Sequence, residues 1–221
     1  MSTISIDGWR REGSVAGRRH PRLLAISTNS SIGGRAFDKW VEALATHGVD
    51  SLLIREKSAA DRSVLELVLR ARDLAAGRLS VLVSGRCDLA VAAGADGVHL
   101  PSSGIPLHAA RQIVGPGAII GRSTHHPEEV ESALVSGADY VLFGPVFDTP
   151  SKRAFGPPVG LDGLSRAAST GGSIVAVGGI TMGRLRSCAE AGATGVASIR
   201  MFQSTEDLAS IVALAETTFT S

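Results

Sequence analysis

Several polar residues of this chain stand where an apolar run ends, and their types are ones that move protons or hold anions. The stretch "IIGRSTHHPEEV" stops at His125 and His126 before a proline and two glutamates. An imidazole exchanges a proton near neutral pH, so His125 is a candidate general acid/base. His126, directly before Pro127, suits the start of a helix instead. "LLIREK" places Arg55, Glu56 and Lys57 at the end of another apolar run. By strand alternation Arg55 points the same way as Leu53, and a charge directed inward needs an anion as partner. Lys57 is either a second ligand group or the solvated start of a loop. "VAVGGIT" offers Gly178 and Gly179 and "VASIR" offers Ser198, Ile199 and Arg200, two loops whose backbone N–H groups can converge on a phosphate. Thr28, Ser84 with Arg86, Ser123 and Lys152 occupy similar strand-end positions, whereas His99 reads as a satisfied core histidine.

Residues so scattered need a framework that brings strand ends to one place. The chain has 221 residues, 44% of them hydrophobic, with 26 glycines and only 4% aromatic residues. Small and branched apolar side chains must therefore do the packing, as in a parallel sheet buried on both faces. A net charge of +1 provides no global field for nucleic acid or an anionic membrane, so a substrate phosphate needs a local site. Cys87 and Cys188 match no metal spacing and read as buried thiols in a reduced compartment. No apolar stretch approaches the roughly 18 residues of a membrane span, and a cytoplasmic location is expected.

From Arg22 onward, short β-branched runs alternate with segments of helical period. Strands are expected at "RLLAIST", "DSLLIRE", "LSVLVSG", "DGVHLP", "AIIGRST", "DYVLFGPVF", "SIVAVGG" and "GVASIR", each followed by a helix. The last helix is expected to start at "STED", with Ser204 and Asp207 as a capping box. The junctions "HGVD", "AGAD", "SGAD" and "AGAT" each put a glycine just past a helix and a polar residue just before a strand. Eight such units predict a single-domain (β/α)8 TIM barrel over residues 22–221, with residues 1–21 a poorly ordered extension. In such a barrel the loops after the strands carry function, and phosphate binds after strands seven and eight.

"LLIREK", "VLVSGRCDLA", "DGVHLPSS", "IIGRSTHH", "ADYVLFGPVFDTPSK", "VAVGGIT" and "AGATGVASI" follow the order found in the thiamine phosphate synthase and thiazole tautomerase superfamily, which the chain resembles from Leu23 to Phe202. Synthases of that superfamily join a pyrimidine diphosphate to a thiazole phosphate and carry Mg²⁺-binding aspartates after strands three and four. Here those positions read Ser84, Gly85 and Arg86, and Gly104. The same stretches are similar to the thiazole tautomerase (TenI-like) pattern, in which the histidine ending "GRSxH" transfers protons, which is His125 here.

The tautomerase resemblance implies a cofactor-free isomerisation of a carboxythiazole phosphate to its aromatic form. It implies Arg55 or Arg122 on the carboxylate, and Gly178, Gly179, Ser198, Ile199 and Arg200 at the phosphate. Arg55, Lys57, Ser123 and the "TPSK" stretch ending at Lys152 also match the synthase pattern, and Mg²⁺ enters only on that alternative. A third reading is a non-catalytic regulator that binds thiazole phosphate. A small phosphorylated thiazole is the expected partner in each case, without nucleic acid or membrane, and a homodimer is compatible with all three.

Overall fold

The computed structural model describes residues 20–28, 34–150, 153 and 156–219. Eight parallel strands, β1 (Leu23–Ile26), β2 (Ser51–Ile54), β3 (Ser80–Ser84), β4 (Gly97–Leu100), β5 (Ile119–Thr124), β6 (Tyr140–Phe143), β7 (Ile174–Val177) and β8 (Gly195–Ser198), close in sequence order into a barrel. Pairing of Leu24 with Ala197 completes the circle between β1 and β8. Among the described residues eight α-helices follow the strands: α1 (Gly34–His47), α2 (Asp61–Ala75), α3 (Cys87–Ala93), α4 (Leu107–Val114), α5 (Pro127–Val135), α6 (Gly160–Ala168), α7 (Leu185–Glu190) and α8 (Leu208–Thr218). The (β/α)8 barrel expected from the alternating pattern is the fold. The proposed extension at residues 1–21 falls almost entirely outside the described residues.

Strand alternation divides the apolar residues into two cores. Leu24, Leu53, Leu82, Tyr140, Val175 and Ala197 belong to the smaller cluster, which fills the barrel interior. Their neighbours Ala25, Leu52, Val81, Val141 and Ala176 pack outward with the helices in the larger one. Glycines at inward positions make room where chain or ring passes close. A Cβ on Gly121 would overlap the Tyr140 ring, and one on Gly195 would meet the carbonyl oxygens of Pro21 and Arg22 at 2.5 and 2.6 Å.

The four repeated junctions have a common physical purpose. Asp50, ahead of β2, accepts the backbone N–H of Leu23 at 2.8 Å; Asp96, ahead of β4, accepts that of Val81 at 2.7 Å; and Asp139, ahead of β6, accepts that of Ile120 at 2.8 Å. Thr194, ahead of β8, instead donates to the carbonyl of Ile174 at 3.2 Å. Each even strand thus ties the start of the odd strand before it, and the preceding glycines Gly48, Gly94, Gly137 and Gly192 turn with positive φ.

The start of the last helix differs from expectation. A short 3₁₀ turn, Arg200–Phe202, follows β8, and α8 begins only at Leu208. Trp40 on α1 donates its indole N–H to the Phe202 carbonyl at 2.6 Å and fixes that turn, so residues 204–207 serve to reach the helix start. Ser204 therefore accepts the N–H of Glu206 at 3.3 Å, and Asp207 makes no side-chain cap.

Candidate active site at the carboxyl end of the barrel

The inward register continues past the strand ends, and it brings Arg55, Ser84, His99, Ser123 and His125 to one mouth. Arg55 follows β2, with its N–H held by Ser27 Oγ at 2.9 Å. Ser27 in turn donates to Glu56 Oε1 at 2.5 Å. The other carboxylate oxygen of Glu56 is buried without a hydrogen-bond partner. Burial raises the Glu56 carboxyl above its usual range, against the Ser27 hydrogen bond and the Arg55 charge. Lys57 is exposed just beyond. Lys152 lies outside the described residues.

His99, read from sequence as a core histidine, is 3% exposed and hydrogen-bonded at both ring nitrogens. Its Nδ1 lies 3.1 Å from the Tyr140 hydroxyl and its Nε2 lies 2.8 Å from Ser123 Oγ. Burial, followed by the positive charges of Arg122 and Arg55, pushes its pKa down to about 3, so the ring is neutral.

His125 is partly buried, and its Nδ1 lies 2.6 Å from the carbonyl of Gly144. A carbonyl only accepts, so Nδ1 carries the proton and the ring ties the β5 exit to the β6 exit. Glu129 accepts the backbone N–H of His125 at 2.6 Å and that of His126 at 3.3 Å. His126 occupies the N-cap position of α5, as its proline neighbour suggested.

Arg122 takes a place that its resemblance-based role did not foresee. It alternates with Ser123, so it leaves the barrel on the outer side. Its guanidinium donates to the carbonyls of Pro101 at 2.8 Å and Ile105 at 2.7 Å, with longer contacts to Ser102 and Gly104. This cation braces the loop after β4.

The loops after β7 and β8 lie side by side, and of the residues expected at a phosphate Gly179 and Arg200 border the cavity between them, together with Asp148 and Asp207. Gly179, Ile180, Thr181, Arg184, Arg200 and Ser204 are among the residues bordering a cavity of about 410 Å³ there. Ser198 Oγ accepts the N–H of Met201 at 3.2 Å, Ile199 precedes the 3₁₀ turn, and Arg200 is exposed at the cavity edge. The glycine pair has a reason beyond ligand approach. Added Cβ atoms would lie 2.6 Å from Pro145 at Gly178 and 2.7 Å from Phe147 at Gly179, because the β6 exit runs alongside. Arg184 closes this corner, donating to the Gly179 carbonyl at 2.6 Å and lying 4.3 Å from the Phe147 ring centroid.

The metal positions implied by the synthase resemblance do not suit a hard dication, which wants carboxylate oxygens. Ser84 and Gly85 supply none after β3, and Arg86 holds both neighbouring carboxylates, Asp61 and Asp88. After β4, a Cβ on Gly104 would lie 3.4 Å from Nη1 of Arg122, so a guanidinium stands beside the position. Among the described residues no group of three His, Cys, Asp or Glu side chains could hold a metal ion.

A single (β/α)8 barrel with cations, hydroxyls and imidazoles converging on its carboxyl-end mouth defines the class as a barrel enzyme. The model of the thiamine monophosphate synthase family matches residues 23–202, and the chain belongs to that family. The thiamine-phosphate synthase of Anaeromyxobacter dehalogenans is 39% identical over 189 residues, 85% of this chain and 84% of that protein. The thiamine-phosphate synthase of Methanoculleus marisnigri is 39% identical over 180 residues, 80% of this chain and 85% of that one. Among solved structures, thiamine phosphate pyrophosphorylase from Pyrococcus furiosus superposes with a TM-score of 0.75 at 29% identity, covering 89% of this chain and 98% of the other.

These relatives overturn the isomerase reading. The thiazole tautomerase assignment rested on the exits of β3 and β4 and on the "GRSxH" stretch that ends at His125. Similarity to synthases across the whole barrel outweighs them. Loss of carboxylates at those positions speaks to the metal, not to the bond that is made. Among the described residues no helix is long and apolar enough to cross a membrane.

Proposed function

We propose that this chain is a transferase of the thiamine-phosphate synthase type, which joins a pyrimidine diphosphate to a thiazole phosphate without a metal ion held by its own carboxylates. The observation that carries the reading is the extent of the family match, from Leu23 in β1 to Phe202 beyond β8, which includes every strand exit. In this reaction the thiazole ring nitrogen forms a bond to the methylene carbon of the pyrimidine. The carbon–oxygen bond to diphosphate breaks, and its electron pair leaves on the diphosphate oxygen.

The residues divide the work by charge and place. Arg55 and Lys57 meet the growing negative charge of the departing diphosphate. Fixed positive groups that face a site of developing charge lower the barrier without reorganising. Ser84 and Ser123 supply neutral hydrogen bonds at the same mouth. The thiazole phosphate sits against Gly178, Gly179, Ser198, Ile199 and Arg200, across the pair of loops after β7 and β8. The two substrates then approach with their reacting atoms over the barrel axis, where orientation supplies much of the rate.

The test is incubation of the purified full chain with both substrates, following thiamine phosphate and diphosphate by mass. Equal amounts of the two products support the reading. Consumption of neither substrate rejects it.

A further inference from the structure

Resting on that reading, we infer that Tyr140 and His99 form a buried hydrogen-bond relay that fixes the direction of the Ser123 hydroxyl, making it a donor toward the substrate. Tyr140, His99 and Ser123 lie on the inward faces of β6, β4 and β5. The contacts are 3.1 Å between the phenol and Nδ1, and 2.8 Å between Nε2 and Ser123 Oγ. The space for them comes from Gly121, two residues before Ser123, because any Cβ there would overlap both the tyrosine ring and His99 Nδ1.

Direction follows from counting donors. Tyr140 is fully buried, and burial holds its phenol well above the usual range, so it keeps its proton. Among the described residues His99 Nδ1 is the acceptor within reach of that O–H. A neutral imidazole that accepts at Nδ1 carries its proton on Nε2. Nε2 therefore donates to Ser123 Oγ, and the serine cannot give its own proton back along the chain. Ser123 is partly exposed, and its O–H is left for an acceptor in the mouth. The opposite direction would put a proton on Nδ1 and leave the phenol proton buried without an acceptor, a costly arrangement. Tyr140 and His99 touch no substrate and are positioning residues. Their effect passes through Ser123.

Two readouts test the relay in the full-length protein. Histidine ¹⁵N NMR of the free protein reports the tautomer, with His99 identified by the signal lost in His99→Gln. The expected spectrum shows a neutral ring protonated at Nε2 and unchanged between about pH 5 and 8. A proton on Nδ1, or an imidazolium, overturns the proposal. Kinetics give the second readout. A glutamine at position 99 can accept from the phenol through its carbonyl and donate to Ser123 through its amide, so His99→Gln retains kcat. His99→Leu lowers kcat about 10- to 100-fold, as Ser123→Ala does, with KM changed far less. Equal turnover by the Gln and Leu variants, with both folded, contradicts the relay. Should His99→Leu fail to fold, Tyr140→Phe replaces it, and a wild-type tautomer and kcat in that variant count against the proposal. If the wild-type chain shows no turnover of the substrate pair, the transferase reading fails and the tautomer alone decides the relay.

Discussion

At the amino end of the barrel, Asp50, Asp96 and Asp139 each accept the N–H that begins a neighbouring strand, and Arg111 reaches Asp139 at 2.8 Å. At the carboxyl end, Glu56 keeps a buried oxygen without a partner, Ser123 has a hydroxyl proton to give, and Arg55 and Lys57 face solvent or the mouth. The same residue types thus serve opposite purposes. Where a carboxylate accepts from the first N–H of a neighbouring strand, polar groups set the register of strands. Where capacity is left over, they can meet a ligand. The contrast predicts that substitutions at the two ends separate stability from turnover.

Arg55→Ala has the largest expected effect at the mouth. Removing a fixed donor aimed at developing charge costs about 10²–10³-fold in kcat, while the midpoint of chemical denaturation stays near wild type. A comparable loss of stability would show that Arg55 belongs to the framework. Asp139→Ala should do the reverse. It leaves the Ile120 N–H without its acceptor and removes the carboxylate partner of Arg111, which keeps the Ala118 carbonyl, at a cost of about 1–3 kcal/mol in unfolding free energy. Turnover per folded molecule should stay unchanged, and a fall in kcat without a fall in stability would break the division between the rims.

A smaller effect concerns acid. His99 is held neutral in the fold, with its pKa pushed down to about 3, whereas the unfolded chain protonates this ring near its ordinary 6.5. Between those values the unfolded state binds more protons, so the stability contributed by neutral His99 is complete above pH 6.5 and drains away as pH falls toward 3. Denaturation measured across that window should show a gentler acid loss in His99→Gln than in wild type. Parallel curves would mean that His99 is not held neutral. His125→Asn should change least, by less than about tenfold in kcat, because its visible partner is the Gly144 carbonyl and the transferase chemistry needs no proton shuttle at that point. A collapse of kcat with KM preserved would restore a proton-transfer role.

The amino-end rim was plain in the sequence because its signal repeats. Four glycine-plus-polar junctions at comparable places in the chain marked four strand starts, and their hydrogen bonds follow one rule. The mouth was legible only in part. Alternation placed Arg55 inward, yet the same rule, applied to Arg122, would have sent that guanidinium outward, to the loop after β4. His99 looked like a packing residue because one sequence position cannot show two partners on two other strands. Gly121 was the available clue, a glycine inside an apolar strand two residues before an inward serine. The choice between two chemistries failed for another reason. Ser84, Gly85, Arg86 and Gly104 stand where metal ligands are expected, and residues at those positions do not say which bond is made.

The most direct measurement is the rate of thiamine phosphate formation by the purified full chain from the pyrimidine diphosphate and the thiazole phosphate, with magnesium and separately with a chelator. The account predicts product and diphosphate in equal amounts, at rates within about tenfold of each other in the two conditions, since the charge of the leaving group is met by side chains. No product in either condition would contradict the transferase reading, and product only with magnesium would contradict the assignment of that charge to Arg55 and its neighbours.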